Sequence, residues 1–241
     1  MGYFASWRFA AISIYMEFSK ANVGDGFYLL KKIQGDYIMI GSKEKTKRHF
    51  DSTAGDYDNS DDGRFVEGMY GDLVFEIQKS AGGKILDVGC GNGNLFEMIA
   101  GGKYEMFGVD FSANMIAEAR AKDIRDASFL VADAEMLPFA DDEFDIVVCN
   151  ASFHHYVHPD AVLREMHRVL KDGGRLIIGD PYVPGFARPF VNVLVRFSDK
   201  GDYHFYGLDE MRGMFEKNGF TPVSSKRTGE RTAMHIGEKW V

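Results

Sequence analysis

Residues 84–94, KILDVGCGNGN, constrain this chain more than any other stretch. Ile85, Leu86 and Val88 make a short apolar run suited to a buried parallel strand, and Gly89, Gly91 and Gly93 follow on alternate positions. Leu95, Phe96, Met98 and Ile99 then recur at helical spacing, so the segment reads strand, glycine turn, helix. A turn without side chains lets a ligand approach bare backbone, and the N–H groups opening the helix can receive its polar end. The turn also narrows the ligand. A dinucleotide fingerprint wants its third glycine five positions after the first, where this chain has Asn94. Asp87, at the strand's end, would repel a pyrophosphate but attract an α-amino group or a sulfonium. A nucleoside carrying an amino acid therefore suits this turn better than NAD.

The segment resembles motif I of the class I S-adenosylmethionine (SAM) dependent methyltransferases, and the resemblance covers roughly residues 49–225. It implies SAM as the cofactor, with Asp87, Gly89, Cys90 and Gly91 in the binding turn. After it comes an α/β rhythm. Tyr104–Val109 reads as a second strand ending in Asp110, which stands 19 residues beyond Gly91, close to the spacing at which an acid takes the ribose hydroxyls. Ser112 is a good N-cap for the next helix, through Arg120. The resemblance places Phe111 and Met115 near the adenosine, although Met115 also suits plain core packing. A third strand, Ala127–Val131, leads to Asp133 and Ala134, to which the resemblance assigns the adenine amino group and ring; an N-cap role for Asp133 is the alternative. Glu135 reads as solvated.

The fourth strand, Phe144–Asn150, runs into Ala151-Ser152-Phe153-His154-His155-Tyr156. Open α/β sheets bind ligands outside the carboxyl ends of their strands, so Asn150 is expected to face the cofactor and the loop to face the transferred methyl group. The Asn/Asp-Pro-Pro-Tyr/Phe motif of DNA adenine methyltransferases is absent there, and the loop resembles instead the small-molecule group that includes ubiquinone and menaquinone biosynthesis methyltransferases. His154 or His155 could remove a proton near neutral pH, or serve packing and hydrogen bonding. No second cluster at metal-ligand spacing accompanies the pair, so the expectation for metal is none.

A helix opens at Pro159 with an apolar face of Val162, Leu163, Met166, Val169 and Leu170, stops at Lys171-Asp172-Gly173-Gly174, and yields a fifth strand, Arg175–Asp180. Residues 181–207 hold Pro181, Pro184 and Pro189 with Tyr182, Phe186, Phe190, Phe197, Tyr203, Phe205 and Tyr206. In the family this region is an inserted lid, so the aromatics either line the acceptor pocket or pack a lid core. A helix from Leu208 to Asn218 and strands over 220–225 and 231–240 finish the sheet as an antiparallel pair. Upstream, the basic cluster Lys43–Arg48 reads as a solvated helix start, and residues 49–58 are polar and turn-rich and resemble a family segment that folds over the cofactor, which brings in Tyr57; a helix spans 64–79.

The resulting fold class is α/β: a doubly wound, Rossmann-like, seven-stranded and mostly parallel sheet with an antiparallel last strand. Residues 1–42 are an appendage, either an accessory helix or hairpin, or a cap or dimer contact, and 43–241 form the methyltransferase domain with 181–207 as its lid. The apolar run within residues 3–18 is too short to span a bilayer, and no cleavage site follows a basic region. With 241 residues, a formal charge of −8 and two cysteines, the chain speaks against a strongly basic nucleic-acid surface and against a disulfide framework. A small-molecule acceptor, a cytoplasmic location and a possible homodimer complete the expectation. The competing readings are a tRNA or protein methyltransferase, a non-catalytic SAM-binding regulator, and a nicotinamide-dependent reductase.

Overall fold

Seven strands in the order β5-β4-β3-β6-β7-β9-β8 carry the molecule's architecture, and the order explains where a ligand can bind. The structure, a computed structural model, describes residues 29–33, 36–40, 42–101, 103–195, 198 and 200–240. The strands are β3 (Gly83–Val88), β4 (Tyr104–Asp110), β5 (Ala127–Val131), β6 (Phe144–Asn150), β7 (Leu170–Pro181), β8 (Phe220–Arg227) and β9 (Thr232–Lys239). From β3 the chain winds outward through β4 and β5, then returns to place β6 on the other side of β3. The crevice between β3 and β6 is thus the topological switch point, the place where open sheets bind their ligands. β3 to β7 are parallel, and β9 runs antiparallel to both β7 and β8, as expected of the closing pair.

The alternation of side chains along each strand sorts the core into two layers. Leu86, Val88, Val147 and Cys149 face one way and pack with Val162, Leu163, Met166 and Val169 of α5 (Pro159–Val169) and with Met211 and Phe215 of α7 (Leu208–Lys217). Ile85, Met106, Ile146 and Val148 face the other way, onto Leu73 and Ile77 of α2 (Asp61–Gln78), Leu95 and Phe96 of α3 (Asn94–Ile99), and Ile116 of α4 (Ala113–Ala121). The four α5 side chains are wholly buried, and each contributes roughly 1.5–3 kcal/mol of transfer free energy. β6 is buried at every position but one, the near-continuous pattern of a strand covered on both faces.

Several expected boundaries shift. Residues 42–53, read as a helix start followed by turns, form one continuous helix, α1 (Ser42–Thr53), and a 3₁₀ segment covers Ala54–Asn59. The polar composition misled because this helix stands over a site rather than packing an apolar stripe. β7 begins at Leu170, where Phe144 already pairs with it, so Lys171–Gly174 is an irregularity within a strand rather than a separating turn. The chain divides into two units, Met1–Gly41 and Ser42–Val241. In the first, β1 (Leu29–Ile33) and β2 (Asp36–Ile40) pair antiparallel with Leu29 opposite Ile40; expectations for residues 1–28 fall outside the described residues. Among the described residues no helix is long and apolar enough to cross a membrane.

Candidate active site

At the carboxyl ends of β3, β4, β5 and β6 the second unit holds an open-mouthed cavity. The glycine turn forms its floor. Gly89 and Gly91 have φ of 79° and 53°, the left-handed region, and a Cβ on Gly89 would stand 2.1 Å from the Ser152 hydroxyl oxygen. Gly91 has open space where a Cβ would go, so its backbone is free to meet a ligand. Its N–H donates to Asp110 Oδ2 at 2.9 Å while the Ser112 N–H donates to Oδ1 at 2.8 Å. Two fixed donors thereby aim the Asp110 carboxylate and leave each oxygen a further lone pair. Burial nonetheless pushes the Asp110 carboxyl up from its ordinary value, partly offset by those two N–H groups.

Of the residues expected at the cofactor site, Tyr57, Gly89, Gly91, Asp110, Phe111, Met115, Asp133, Ala134 and Asn150 line the cavity. Asp87 and Cys90 do not: alternation along β3 turns Asp87 away from the side that Val88 presents, and Cys90, within the turn, is buried against the core. Asp87 is 3% exposed, Oδ1 has no partner among the described residues, and burial together with Asp110 pushes its carboxyl up to about 8. The amide of Asn150 is also buried, its oxygen on the side of Gly179, and neither its oxygen nor its nitrogen is bonded among the described residues. A buried amide with both atoms unpaired is costly.

Asp133 begins no helix. It accepts from the Glu135 N–H at 3.0 Å and from Lys43 Nζ at 2.8 Å. Glu135, expected to be solvated, is instead ion-paired with Lys43 at 2.7 Å and only 21% exposed at its side chain. Lys43, Thr46 and Phe50 of α1 lie on the cavity wall, and none of them was expected there. Their helix is tied down by Asp51, which accepts from Ser112 Oγ at 2.6 Å, and by Asp58 in the 3₁₀ segment, which accepts from Asn92 and Asn94. Contacts between such distant segments leave no local spacing to read.

The aromatic set of 181–207 does not line the cavity. α6 (Arg188–Val195) turns Phe190, Val193 and Leu194 to solvent and Phe186 is 93% exposed, while Phe197 lies outside the described residues. The rings at the wall are Phe50, Tyr57, Phe111 and Tyr156. Only the end of the segment approaches the loop after β6, where the N–H groups of Tyr203 and His204 both donate to the His154 carbonyl, at 2.9 and 3.0 Å.

That loop carries a non-glycine residue in the left-handed region, Ala151 at φ 51°, held by its N–H bond to the Gly179 carbonyl. His155 reaches the cavity wall and His154 does not. His154 Nδ1 stands 2.9 Å from Asp180 Oδ1, and both residues are buried. Burial alone would lower the His154 pKa, but Asp180 and Asp202 outweigh it and raise it to about 10. Burial and the neighbouring His154 charge push His155 down. Asp202, 47 residues past His155, joins the pair where the sequence spacing suggested no further ligand.

Known proteins resemble this chain in sequence and in fold. Residues 86–178 match the family model described as a methyltransferase domain. YcgJ of Bacillus subtilis (strain 168), an uncharacterised methyltransferase, is 33% identical over 161 residues, which is 64% of this chain and 64% of that protein's length. Demethylmenaquinone methyltransferase of Staphylococcus carnosus (strain TM300) is 30% identical over 193 residues, 69% of this chain and 80% of that one. The crystal structure of Bacillus subtilis YcgJ superposes with a TM-score of 0.64 at 22% identity, covering 73% of this chain and 99% of that one.

Proposed function

This chain belongs to the SAM-dependent methyltransferases, and from that premise we propose that it methylates a small-molecule acceptor held between α1 and the loop after β6. When bound, SAM supplies a methyl group already activated on a sulfonium, so direct in-line displacement needs no protein nucleophile. The chain's own part is to bind, align and exclude water, and such positioning contributes about 7–11 kcal/mol.

The residues present fit that cofactor. Asp110 would take the ribose hydroxyls on lone pairs left free by its two N–H partners. Asp133 and Ala134 would take the adenine edge, and Phe111 and Met115 its faces. The Asp110 carboxylate, aimed at the cavity by two fixed N–H groups, is the observation that carries the assignment, with Asn150 bordering the same cavity. Asp87 lies behind the turn, where its carboxylate favours a cationic ligand through charge rather than contact.

A small acceptor is supported by the cover of the cavity. Lys43, Thr46, Phe50 and Tyr57 close one side, which suits an acceptor with an apolar or planar body and leaves little room for a folded nucleic acid. The formal charge of −8 points the same way. The demethylmenaquinone relative suggests a quinol-like ring as the first acceptor to try. The test incubates purified protein with methyl-labelled SAM and a panel of phenolic and quinol acceptors beside total tRNA. Label appearing in a small product supports the proposal. Label in tRNA alone, or SAM binding with no transfer to either, overturns it.

A further inference from the structure

His154, His155 and Asp202 meet beside the acceptor loop in a triangle that neither SAM binding nor methyl transfer requires. One oxygen, Asp202 Oδ1, stands 3.4 Å from His154 Nε2 and 3.5 Å from His155 Nδ1. The three donor atoms all lie within 4.8 Å of one another. Both contacts are long for a hydrogen bond, and His155 Nδ1 has no hydrogen-bond partner among the described residues although the residue is 92% buried. Donor atoms about 2.0–2.1 Å from a shared tetrahedral zinc ion are separated by roughly 3.4 Å, the spacing of Asp202 Oδ1 from each of the two ring nitrogens.

The surroundings fit the same reading. Asp180 engages His154 through Nδ1 at 2.9 Å, which fixes the ring and leaves Nε2 directed at Asp202. A carboxylate on the far nitrogen is the usual support of a histidine that ligates metal. Asp180 and Asp202 bring two negative charges, which one divalent cation cancels once it displaces the proton that His154 otherwise holds. Phe205 stacks on the His154 ring at 5.3 Å and Phe50 meets the His155 ring edge-on at 5.3 Å, so the triangle has apolar walls. Main-chain bonds from Tyr203 and His204 to the His154 carbonyl hold the segment bearing Asp202 against the loop bearing both histidines.

We propose that His154 Nε2, His155 Nδ1 and Asp202 Oδ1 bind one divalent transition-metal ion of the zinc type, with Asp180 as the positioning carboxylate. Three protein ligands leave a fourth place open, as in zinc sites that accept a water or a substrate oxygen. Because His155 also borders the cavity, the ion stands at the acceptor's side rather than the cofactor's. This assignment concerns metal binding alone and stands whether or not the acceptor proposal holds.

The experiment titrates chelator-stripped full-length protein with zinc chloride by calorimetry and with cobalt(II) chloride by visible absorption. One ion per chain, with the intense absorption of tetrahedral cobalt, is expected. Asp202→Asn should weaken zinc binding at least 100-fold, and Asp180→Asn by 10- to 100-fold. Retained SAM binding by Asp202→Asn shows that the variant is folded. Wild-type protein with no saturable cobalt band overturns the proposal without recourse to any variant, and so does zinc binding that Asp202→Asn leaves unchanged.

Discussion

The cofactor side and the acceptor side of the cavity are built by different means. On the cofactor side each polar anchor stands at the end of the strand that presents it, and neighbouring N–H groups aim it: Gly91 and Ser112 on Asp110, Glu135 on Asp133. On the acceptor side Phe50, His155 and Asp202 come from three separate segments, the last two joined by the bonds of Tyr203 and His204 to the His154 carbonyl. The first side is a property of local sequence. The second exists only once the chain has folded, so acceptor choice can change by altering α1 or the 200–207 segment while the cofactor turns stay as they are.

The sharpest test of that division is Asp110→Ala. Two charge-assisted hydrogen bonds at roughly 1.5–3 kcal/mol each predict a loss of SAM affinity of about 10²–10⁴-fold. Calorimetric titration should show this loss with little change in zinc binding. A parallel loss of zinc would mean that the two sides are one cooperative unit.

Gly89→Ala tests the seam itself, because Gly89 belongs to the cofactor turn and Ser152 to the acceptor loop. The left-handed backbone disfavours any side chain, and the new Cβ would fall 2.1 Å from Ser152 Oγ and 2.5 Å from Ser152 Cβ. A stability loss of about 2–4 kcal/mol in denaturant unfolding is expected, of the size that strained backbone and overpacking produce. A smaller loss would show that the acceptor loop yields easily, and acceptor KM should then rise more than the SAM dissociation constant.

This contrast also explains what could be read before folding. The seven-stranded sheet followed from strand, turn and helix signals that each lie within about a dozen residues, and Asp110 from its distance to the glycine turn. Only the start of α1 was legible because KEKTKRHFDST has no apolar stripe; its partners are Asp133, Glu135, Ser112 and the cavity. Asp202 was missed because a lone acid 47 residues from two histidines has no motif. The aromatics of 181–207 stayed between two readings for the opposite reason, since composition alone cannot tell a pocket lining or a packed core, which Tyr206 joins, from the exposed face that Phe186 and Phe190 present.

Asp87 supplies a pH test confined to the cofactor side. The folded protein holds this proton up to about pH 8, whereas an unfolded aspartate releases it near 4. The folded state therefore binds more protons across that window, and this group's contribution to stability falls as pH rises from 4 to 8. The affinity for cationic SAM should rise over the upper part of the same window as the carboxylate forms. Asp87→Asn should remove both slopes and raise the melting temperature at pH 8, read by thermal unfolding and by SAM titration at pH 6, 7 and 8. Unchanged slopes in the variant would place the titrating group elsewhere.

The smallest effect is expected from Lys43, which α1 extends across the boundary. Its Nζ sits 2.8 Å from Asp133 Oδ2 and 2.7 Å from Glu135 Oε1, with its side chain 36% exposed. Such half-exposed pairs contribute about 0–1 kcal/mol, so the ammonium holds the adenine acceptor only lightly. If adenine takes Asp133, part of that pairing must be given up on binding, and Lys43→Ala should tighten SAM by about two- to fivefold. The gain should shrink in high salt, which already screens the pair in the wild type. If Lys43→Ala instead weakens SAM, the lysine is a cofactor contact and α1 belongs to the cofactor side. An unchanged SAM constant with a raised acceptor KM would assign α1 wholly to the acceptor. The direction of this small shift therefore decides where the boundary between the two sides runs.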